Sequence, residues 1–473
     1  MALDRQFMMD RIMESDAAYD RVFVTGVMST GIYCLPSCRA RKPKPENVQF
    51  FSDIQSARNA GLRACKKCRP DEFYAGLDLE LEQLEACVAR LRLNSSEFKS
   101  VDQLADQLGM SSSKLYVLFK KHFHSTPGDY CTRLRVESSC VQLLNSEFAV
   151  SDIALDVGFE SLSTFYEHFG KQTGMTPSAY RKLNQGAEFR IDLPPFFQFE
   201  VLRGYIGRDP ESLTERVNGS EIQFTAVYDG APHTIRLKFE THHADCFVDG
   251  PNKVQAHRSI TRILGLNQDP SGFELLVRKL GIEEMVGNRI GLRMPMTPGL
   301  YDGIVWAILG QQVNLKFAYS IRRRLVELVG QPLENGFYAP PQPHEVANLT
   351  VEDLLPLQFS RRKAEYLIDC SRLITSGELD LELLTRRSAT GAEKRLMAIR
   401  GFGPWSTHYV MMRAMGFSDC LPVGDTGLTS ALQKMFALET RPNVEETRGL
   451  MEKFSPYRSL ATFHLWQSLK FES

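Results

Sequence analysis

The chain has 473 residues, of which 43% are hydrophobic and 24% are charged, and this length predicts two to four domains. Its 56 Lys and Arg residues balance 57 Asp and Glu residues, so a nucleic-acid ligand would have to bind a local concentration of positive charge. The sequence has neither a run of about 18 apolar residues nor a signal peptide, which predicts a cytoplasmic protein without a membrane partner. Ten cysteines are too few for a disulfide scaffold in so long a chain.

Four of the ten cysteines form two closely spaced pairs, Cys34 with Cys38 and Cys65 with Cys68. Two such pairs a few tens of residues apart match a tetrahedral zinc site, because each short loop lets two thiolates converge on one ion. Four unrelated buried thiols remain the alternative, since free cysteine also packs as a small hydrophobic residue. The other six cysteines are scattered singly, and we interpret them as core residues.

Basic residues are concentrated around these cysteines. Residues 30–70 contain nine Lys and Arg residues but only two acidic ones, and this segment supplies the local positive charge that a DNA ligand needs. A zinc-bound thiolate stays deprotonated at neutral pH, so one cysteine here could be both a metal ligand and a nucleophile.

The motifs Cys34-Leu-Pro-Ser-Cys38-Arg-Ala-Arg41 and Arg63-Ala-Cys65-Lys-Lys-Cys68 resemble the N-terminal domain of the Ada family of adaptive-response proteins, over residues 5–75. The resemblance implies irreversible transfer of a methyl group from a DNA methylphosphotriester to Cys34. It also implies one Zn²⁺ that is structural and activates the nucleophile. Arg41 and Arg63 are candidate phosphate contacts, although each could equally be a solvated surface charge.

Residues 79–184 are predicted to be helical and contain a partial repeat. Leu104-Ala105 and Gly109 recur as Ile153-Ala154 and Gly158, and Thr126-Pro127 recurs as Thr176-Pro177. A small residue on one helix, a Gly at the turn and a second helix describe a helix-turn-helix, with second helices over about 112–122 and 161–172. The pair resembles the AraC-type transcription-factor domain, which implies promoter DNA and RNA polymerase as partners. A helical bundle that does not bind DNA is the alternative.

Residues 188–270 are predicted to be rich in strands, because alternating segments flank the turn Asp229-Gly230. Residues 271–473 are predicted to be helical. Within them Gly401-Phe-Gly403-Pro-Trp405, between two helical runs, predicts a helix-hairpin-helix turn whose backbone N–H groups suit a DNA phosphate. A carboxylate, Asp425, follows about 20 residues later.

These segments resemble the helix-hairpin-helix DNA glycosylases, and in detail the AlkA-type alkylation-repair enzymes, over about residues 188–470. The resemblance implies that Asp425 is catalytic and that Trp405, Tyr409 and Trp466 bind a cationic alkylated purine after it leaves the base stack. Gln312 occupies the place of an apolar wedge residue, a departure that puts the intercalation in doubt. Core packing of the aromatic residues and an N-cap role of Asp425 are the alternatives, the latter compatible with catalysis.

The sequence therefore predicts a multidomain α+β protein with a small zinc-binding α/β domain at 1–78, an all-α pair of helix-turn-helix units at 79–184, a β-rich subdomain at 188–270 and an all-α glycosylase domain at 271–473. The predicted function is repair of alkylated double-stranded DNA combined with transcription regulation. Lyase relatives have a Lys at the position of Trp405, so we expect monofunctional excision. The alternative is a regulator whose glycosylase half binds damaged DNA without catalysis.

Overall fold

The computed structural model describes residues 3–75, 78–186 and 188–469. The chain divides into two compact units, Met1–Cys87 and Val88–Ser473. No helix within these described ranges is long and apolar enough to cross a membrane.

The first unit is a four-stranded sheet with short helices. Its elements are α1 (Arg5–Glu14), β1 (Val24–Val27), β2 (Ile32–Cys34), β3 (Val48–Phe51), α2 (Ile54–Asn59), β4 (Arg63–Ala64) and α3 (Pro70–Tyr74). The strand order is β3-β1-β2-β4, and β4 runs parallel to β2. Because Tyr33 pairs with Ala64, the next residues of the two strands, Cys34 and Cys65, emerge at the same end of the sheet. This parallel pairing brings the two cysteine pairs together.

Seven helices follow and form the predicted repeat. They are α4 (Leu79–Leu93), α5 (Val101–Gln107), α6 (Ser112–Phe123), α7 (Pro127–Asn145), α8 (Val150–Asp156), α9 (Leu162–Thr173) and α10 (Pro177–Arg181). The helix-turn-helix glycines Gly109 and Gly158 both have positive φ, as turn glycines do. Ser111 and Ser161 cap α6 and α9 in the same way, with each hydroxyl accepting an N–H of the first turn.

The β-rich region is an antiparallel sheet of five strands in the order β5-β9-β8-β7-β6. Its elements are β5 (Glu188–Asp192), α11 (Phe199–Ile206), β6 (Glu215–Asn218), β7 (Glu221–Tyr228), β8 (Ala231–Phe239), β9 (His243–Val248) and α12 (Lys253–Ile263). Asp229 and Gly230 join β7 to β8 with φ values of 50° and 78°, the two left-handed residues that a tight hairpin requires.

The second helix-turn-helix shares one hydrophobic core with this sheet. Phe165 and Phe169 of α9 belong to the same buried cluster as Ile191, Phe224 and Leu237 of the strands. The second helix-turn-helix is therefore packed against the β-rich region rather than attached to it by a free linker.

The remaining chain is helical, as expected. Its helices are α13 (Ser271–Lys279), α14 (Leu300–Leu309), α15 (Leu315–Val329), α16 (Pro343–Ala347), α17 (Val351–Leu354), α18 (Arg361–Thr375), α19 (Leu381–Arg386), α20 (Ala389–Met397), α21 (Pro404–Val410), α22 (Thr426–Met435), α23 (Val444–Glu452) and α24 (Arg458–Ser468). Helix α21 continues into a π-helical turn, Met411–Met415. The apolar helix α14 lies in the main core, which α21 and α24 also join.

Three histidines make the second unit sensitive to acid: His257 and His464 are buried, and His124 is half-buried. Burial lowers the pKa of His124 and His257 to about 4 and that of His464 to about 3. As pH falls below about 6.5, the unfolded chain takes up protons that the folded chain does not, so stability falls by up to about 1.4 kcal/mol per histidine per pH unit. Burial raises the pKa of Asp302 to about 6, so protonation of this one carboxyl favours the folded chain as pH falls. The three histidines together have the larger, opposite effect on stability.

We therefore expect the melting temperature of the chain to fall markedly between pH 7 and pH 5. His257→Gln should flatten this dependence, whereas the same change at the exposed His344 should leave it intact. Thermal unfolding followed by circular dichroism measures the effect. An equal melting temperature at both pH values would contradict the claim that these histidines stay neutral in the folded chain.

Candidate zinc centre and base-excision site

The four paired cysteines converge in the first unit. The sulfur atoms of Cys34, Cys38, Cys65 and Cys68 all lie within 4.8 Å of one another. A tetrahedral ion with Zn–S bonds of about 2.3 Å separates its sulfurs by about 3.8 Å, so this donor set fits one Zn²⁺. The four cysteines form the zinc site that their spacing predicts.

Hydrogen bonds hold the two cysteine loops in shape. Asp20 accepts both the backbone N–H and the hydroxyl of Ser37, at 2.8 and 2.6 Å, and so fixes the loop between Cys34 and Cys38. The N–H of Leu35 points at the sulfur of Cys68 from 3.4 Å. Such donors stabilise thiolate charge.

The thiols also share protons among themselves. Hydrogen bonds from Cys34 and Cys68 lower the pKa of Cys38 to about 2, and the bond to Cys38 raises the pKa of Cys34. Without a metal ion, Cys38 is therefore the thiol that loses its proton first, and its neighbours donate to it.

The basic residues of this unit fall into two groups. Arg58 pairs with Asp71 at 2.7 Å, and Lys42 donates to backbone carbonyls, so both are occupied structurally. The exposed side chains of Arg41 and Arg63 make no hydrogen bond or ion pair with any residue that the structure describes. Five of the nine basic residues therefore have partners within this unit, namely Lys42, Lys44, Arg58, Lys67 and Arg69, whereas the two candidate phosphate contacts keep their charge available.

The second site is built around the carboxylate of Asp425, which caps α22. Its Oδ1 accepts the backbone N–H of Leu428 at 2.7 Å and the indole N–H of Trp466 at 2.9 Å. Its Oδ2 accepts the indole N–H of Trp405 at 3.0 Å. The structure therefore brings together three of the residues that the sequence analysis selected, and the N-cap role of Asp425 coexists with the two tryptophan contacts.

Tyr409 extends this cluster, one helical turn after Trp405 on α21. The two rings are stacked, with their centroids 5.3 Å apart and their planes 23° from parallel. Burial raises the pKa of the Tyr409 hydroxyl, which therefore stays protonated. The carboxylate, two indoles and a phenol thus form one continuous surface.

Gln312 lies in the turn between α14 and α15, with its side chain exposed and a left-handed φ of 52°. A Cβ at Gly310 in the same turn would lie 3.2 Å from the ring of Trp405. The turn therefore borders the aromatic cluster, and Gln312 projects from its exposed side.

The hairpin between α20 and α21 has the predicted form. Gly401 has a φ of 91°, and a Cβ there would overlap the ring of Tyr366. Gly403 caps α21, and a Cβ there would meet open space. The side chain of Gln311 donates to the Gly401 carbonyl and to Ser406, both at 2.9 Å, and so ties the α14–α15 turn to the hairpin.

Sequence reasoning missed Arg208 and His408. The guanidinium of Arg208 lies 4.1 Å from the ring centroid of Tyr205 and 5.4 Å from that of Trp306. No motif marks this residue, because its partners are far away along the chain. His408 lies within the hairpin motif, next to Tyr409, and its Nδ1 accepts the N–H of Leu421 at 3.3 Å.

Comparisons with known proteins match this architecture. Three family models match the chain: the metal binding domain of Ada at residues 8–71, a helix-turn-helix domain at 104–183 and the HhH-GPD superfamily of base excision DNA repair proteins at 305–456. A Bacillus subtilis relative, the bifunctional transcriptional activator/DNA repair enzyme AdaA, is 33% identical over 37% of this chain and 82% of its own length. The chain belongs to the bifunctional Ada and AlkA family of transcriptional activators and DNA repair enzymes.

Similarity to this Ada and AlkA family extends over nearly the whole chain. A Mycobacterium tuberculosis protein, the probable bifunctional transcriptional activator/DNA repair enzyme AlkA, is 27% identical over 97% of this chain and 95% of its own length. A 3-methyladenine DNA-glycosylase from Archaeoglobus fulgidus aligns with 60% of this chain and 99% of its own, at 22% identity and a TM-score of 0.54. The latter comparison shows that the glycosylase fold is shared.

The two hairpin glycines offer a matched pair of substitutions. Gly401→Ala forces a side chain into a positive φ and against Tyr366, so we expect it to lower the free energy of unfolding by at least about 2 kcal/mol. Gly403→Ala, in open space at ordinary φ, should cost less than about 1 kcal/mol. Urea unfolding measures both, and equal losses would contradict this description of the hairpin.

Proposed function

We propose that this chain repairs alkylated DNA by two separate chemistries and activates transcription from promoter DNA. The first unit takes a methyl group irreversibly from a DNA methylphosphotriester, and the glycosylase region excises alkylated purines of the 3-methyladenine type without cutting the strand. The helix-turn-helix pair binds promoter DNA and works with RNA polymerase. The observation that carries the excision activity is the ionisable carboxylate of Asp425 held between two indole N–H groups.

The proposed acceptor of the methyl group is the sulfur of Cys34. Bound Zn²⁺ would keep the four thiols deprotonated at neutral pH. The Cys34 sulfur attacks the methyl carbon, a C–S bond forms, and the C–O bond breaks with its electron pair remaining on the phosphate oxygen. The products are a thioether and an ordinary phosphodiester, so no proton is needed and nothing regenerates the thiolate.

This transfer also changes the charge of the first unit. A thiolate becomes a neutral thioether, so the sulfur cluster loses one negative charge. Arg41 and Arg63, whose charges are free of partners in the described part of the chain, then attract DNA phosphate more strongly. Methylation therefore favours DNA binding by the same unit.

Methyl transfer gives a direct test of Cys34. Incubation with DNA that carries methylphosphotriesters should add one methyl group to the peptide containing Cys34, detected by mass spectrometry. Cys34→Ala should abolish transfer, because the remaining sulfurs are assigned only as ligands. Cys131→Ala, at a half-buried cysteine outside the cluster, should transfer as the parent chain does. If the Cys34→Ala variant still takes up a methyl group from this DNA, Cys34 is not the acceptor.

Excision begins with rotation of the damaged nucleotide out of the duplex, because its glycosidic bond is inaccessible within the stack. A cationic alkylpurine leaves as a neutral base, taking the electron pair of the C1′–N bond. The positive charge that develops on the sugar is stabilised by the carboxylate of Asp425, whose orientation the N–H groups of Trp405, Trp466 and Leu428 fix. Water then bonds to C1′ and releases one proton.

The aromatic cluster is the proposed site for the base. Each well-placed ring attracts a cation by about 0.5 to 2 kcal/mol, and Trp405, Tyr409 and Trp466 adjoin the carboxylate. Arg208 lies over other rings, those of Tyr205 and Trp306, rather than over Trp405 or Trp466. None of the three carries an amine, so no Schiff base forms with the sugar and the abasic strand stays intact.

The surrounding turns would bind the duplex. The exposed Gln312 would fill the space that the damaged nucleotide vacates, since its turn borders Trp405. The backbone N–H groups at the hairpin glycines, Gly401 and Gly403, would bind a phosphate of the same strand. Both assignments follow from the resemblance and are compatible with the observed geometry.

Asp425→Asn tests the catalytic role, because asparagine keeps the N-cap but removes the charge. We expect release of 3-methyladenine from methylated DNA to fall at least about 100-fold. Asp380→Asn is the matched control, since Asp380 caps α19 in the same way and accepts Leu383 N–H at 2.9 Å, away from the site. Near-normal release by Asp425→Asn, or borohydride trapping of the parent chain on DNA, would contradict the proposal.

A further inference from the structure

The two helix-turn-helix repeats end their second helices differently. Helix α9 ends at Gly174 with a φ of 67°, the left-handed cap that glycine adopts without strain. Helix α6 ends at the equivalent position with His124, which has a φ of 52°. A histidine at such a cap is more strained than glycine, and its side chain supplies contacts that glycine lacks.

The ring of His124 reaches the glycosylase region. Its Nδ1 accepts the backbone N–H of Asp419 at 3.1 Å, and its edge packs against the ring of Phe417 with centroids 5.7 Å apart. Its carbonyl oxygen accepts the hydroxyl of Ser418 at 3.0 Å. Three consecutive residues, Phe417, Ser418 and Asp419, therefore contact one histidine of the helix-turn-helix pair.

The segment 418–425, which we name the catalytic loop, leads directly to Asp425. Three successive N–H groups of this loop donate to side chains: that of Asp419 to His124, that of Cys420 to Ser459 at 3.0 Å, and that of Leu421 to His408 at 3.3 Å. Ser459 lies on α24, which also carries Trp466, and His408 lies on α21, which also carries Trp405. Of these three anchors, only His124 comes from the helix-turn-helix pair.

We infer that His124 is a positioning residue for base excision, a side chain of the regulator that holds the start of the catalytic loop. Removal of the ring leaves the N–H of Asp419 without its acceptor, while Arg458 still holds the carboxylate at 2.7 Å, so the backbone of the loop shifts to recover a partner. A displacement of about 1 Å at a reacting group can slow an enzyme by as much as about 100-fold. The inference rests on the proposed catalytic role of Asp425.

The variants follow from the comparison of the two repeats. His124→Gly reproduces the cap of the second repeat and removes only the ring. We expect it to lower the single-turnover rate of 3-methyladenine release by about tenfold, with the affinity for methylated DNA within about twofold of the parent chain. His124→Asn restores an acceptor and tolerates the left-handed cap, so it should recover most of the rate.

Asp269→Asn is the matched control. Asp269 pairs with Lys171 of α9 at 2.6 Å. The substitution therefore breaks another contact between the helix-turn-helix pair and the glycosylase region, away from the catalytic loop. Its excision rate should stay within about twofold of the parent rate. An equal loss in Asp269→Asn, an unchanged rate in His124→Gly or a failure of His124→Asn to recover would each overturn the inference.

Two further measurements keep the test decisive, and all are made on the full chain. If His124→Gly does not fold, Ser418→Ala, which removes the hydroxyl that bonds the His124 and Pro456 carbonyls, should lower the rate without changing DNA affinity. An unchanged rate there overturns the inference. The Asp425→Asn variant is assayed in parallel: normal release by that variant refutes the proposed function itself, whereas a slow Asp425→Asn with a normal His124→Gly refutes only the inference.

Discussion

The carboxylate of Asp425 is the point on which the glycosylase region depends. It accepts N–H groups from three helices, since Leu428 belongs to α22, Trp405 to α21 and Trp466 to α24. A carboxylate in this position satisfies the first turn of one helix and at the same time fixes two aromatic side chains. The same bonds orient its charge before any substrate arrives, which is what electrostatic stabilisation of a developing cation requires.

In the first unit, backbone pairing brings the functional side chains together. Parallel pairing of β2 and β4 places Cys34 and Cys65 at one end of the sheet, and two short loops then return Cys38 and Cys68 to the same point. The excision site needs distant helices to meet, whereas the zinc site needs only one strand pair and two turns. Both sites hold their acidic groups among N–H donors.

Much of this could be predicted from the sequence because the signals are local. The cysteine spacing, the hairpin glycines, the Asp229-Gly230 turn and the cap at Asp425 each depend on residues within one or two turns of chain. The family resemblance then assigned Trp405, Tyr409 and Trp466 as a group. In the structure the two tryptophans bond Asp425, and Tyr409 stacks on Trp405.

The remaining features could not be predicted, because they depend on contacts between distant segments. Nothing in the sequence near Arg208 indicates that it lies over the rings of Tyr205 and Trp306, and Lys42 adds to the local positive charge although it holds the fold. The shared core of α9 and the β-rich sheet is equally invisible, since each element has an ordinary apolar face. The contact between His124 and the catalytic loop joins segments almost 300 residues apart, and only the comparison of its cap with Gly174 indicated it.

The most direct test of the central claim is an affinity comparison on the full chain. Two duplexes would differ only at one abasic nucleotide, which is a positively charged pyrrolidine in one and an uncharged tetrahydrofuran in the other. If the carboxylate of Asp425 stabilises positive charge on the sugar, the chain should bind the charged duplex at least about tenfold more tightly. Equal affinity for the two duplexes would contradict the account.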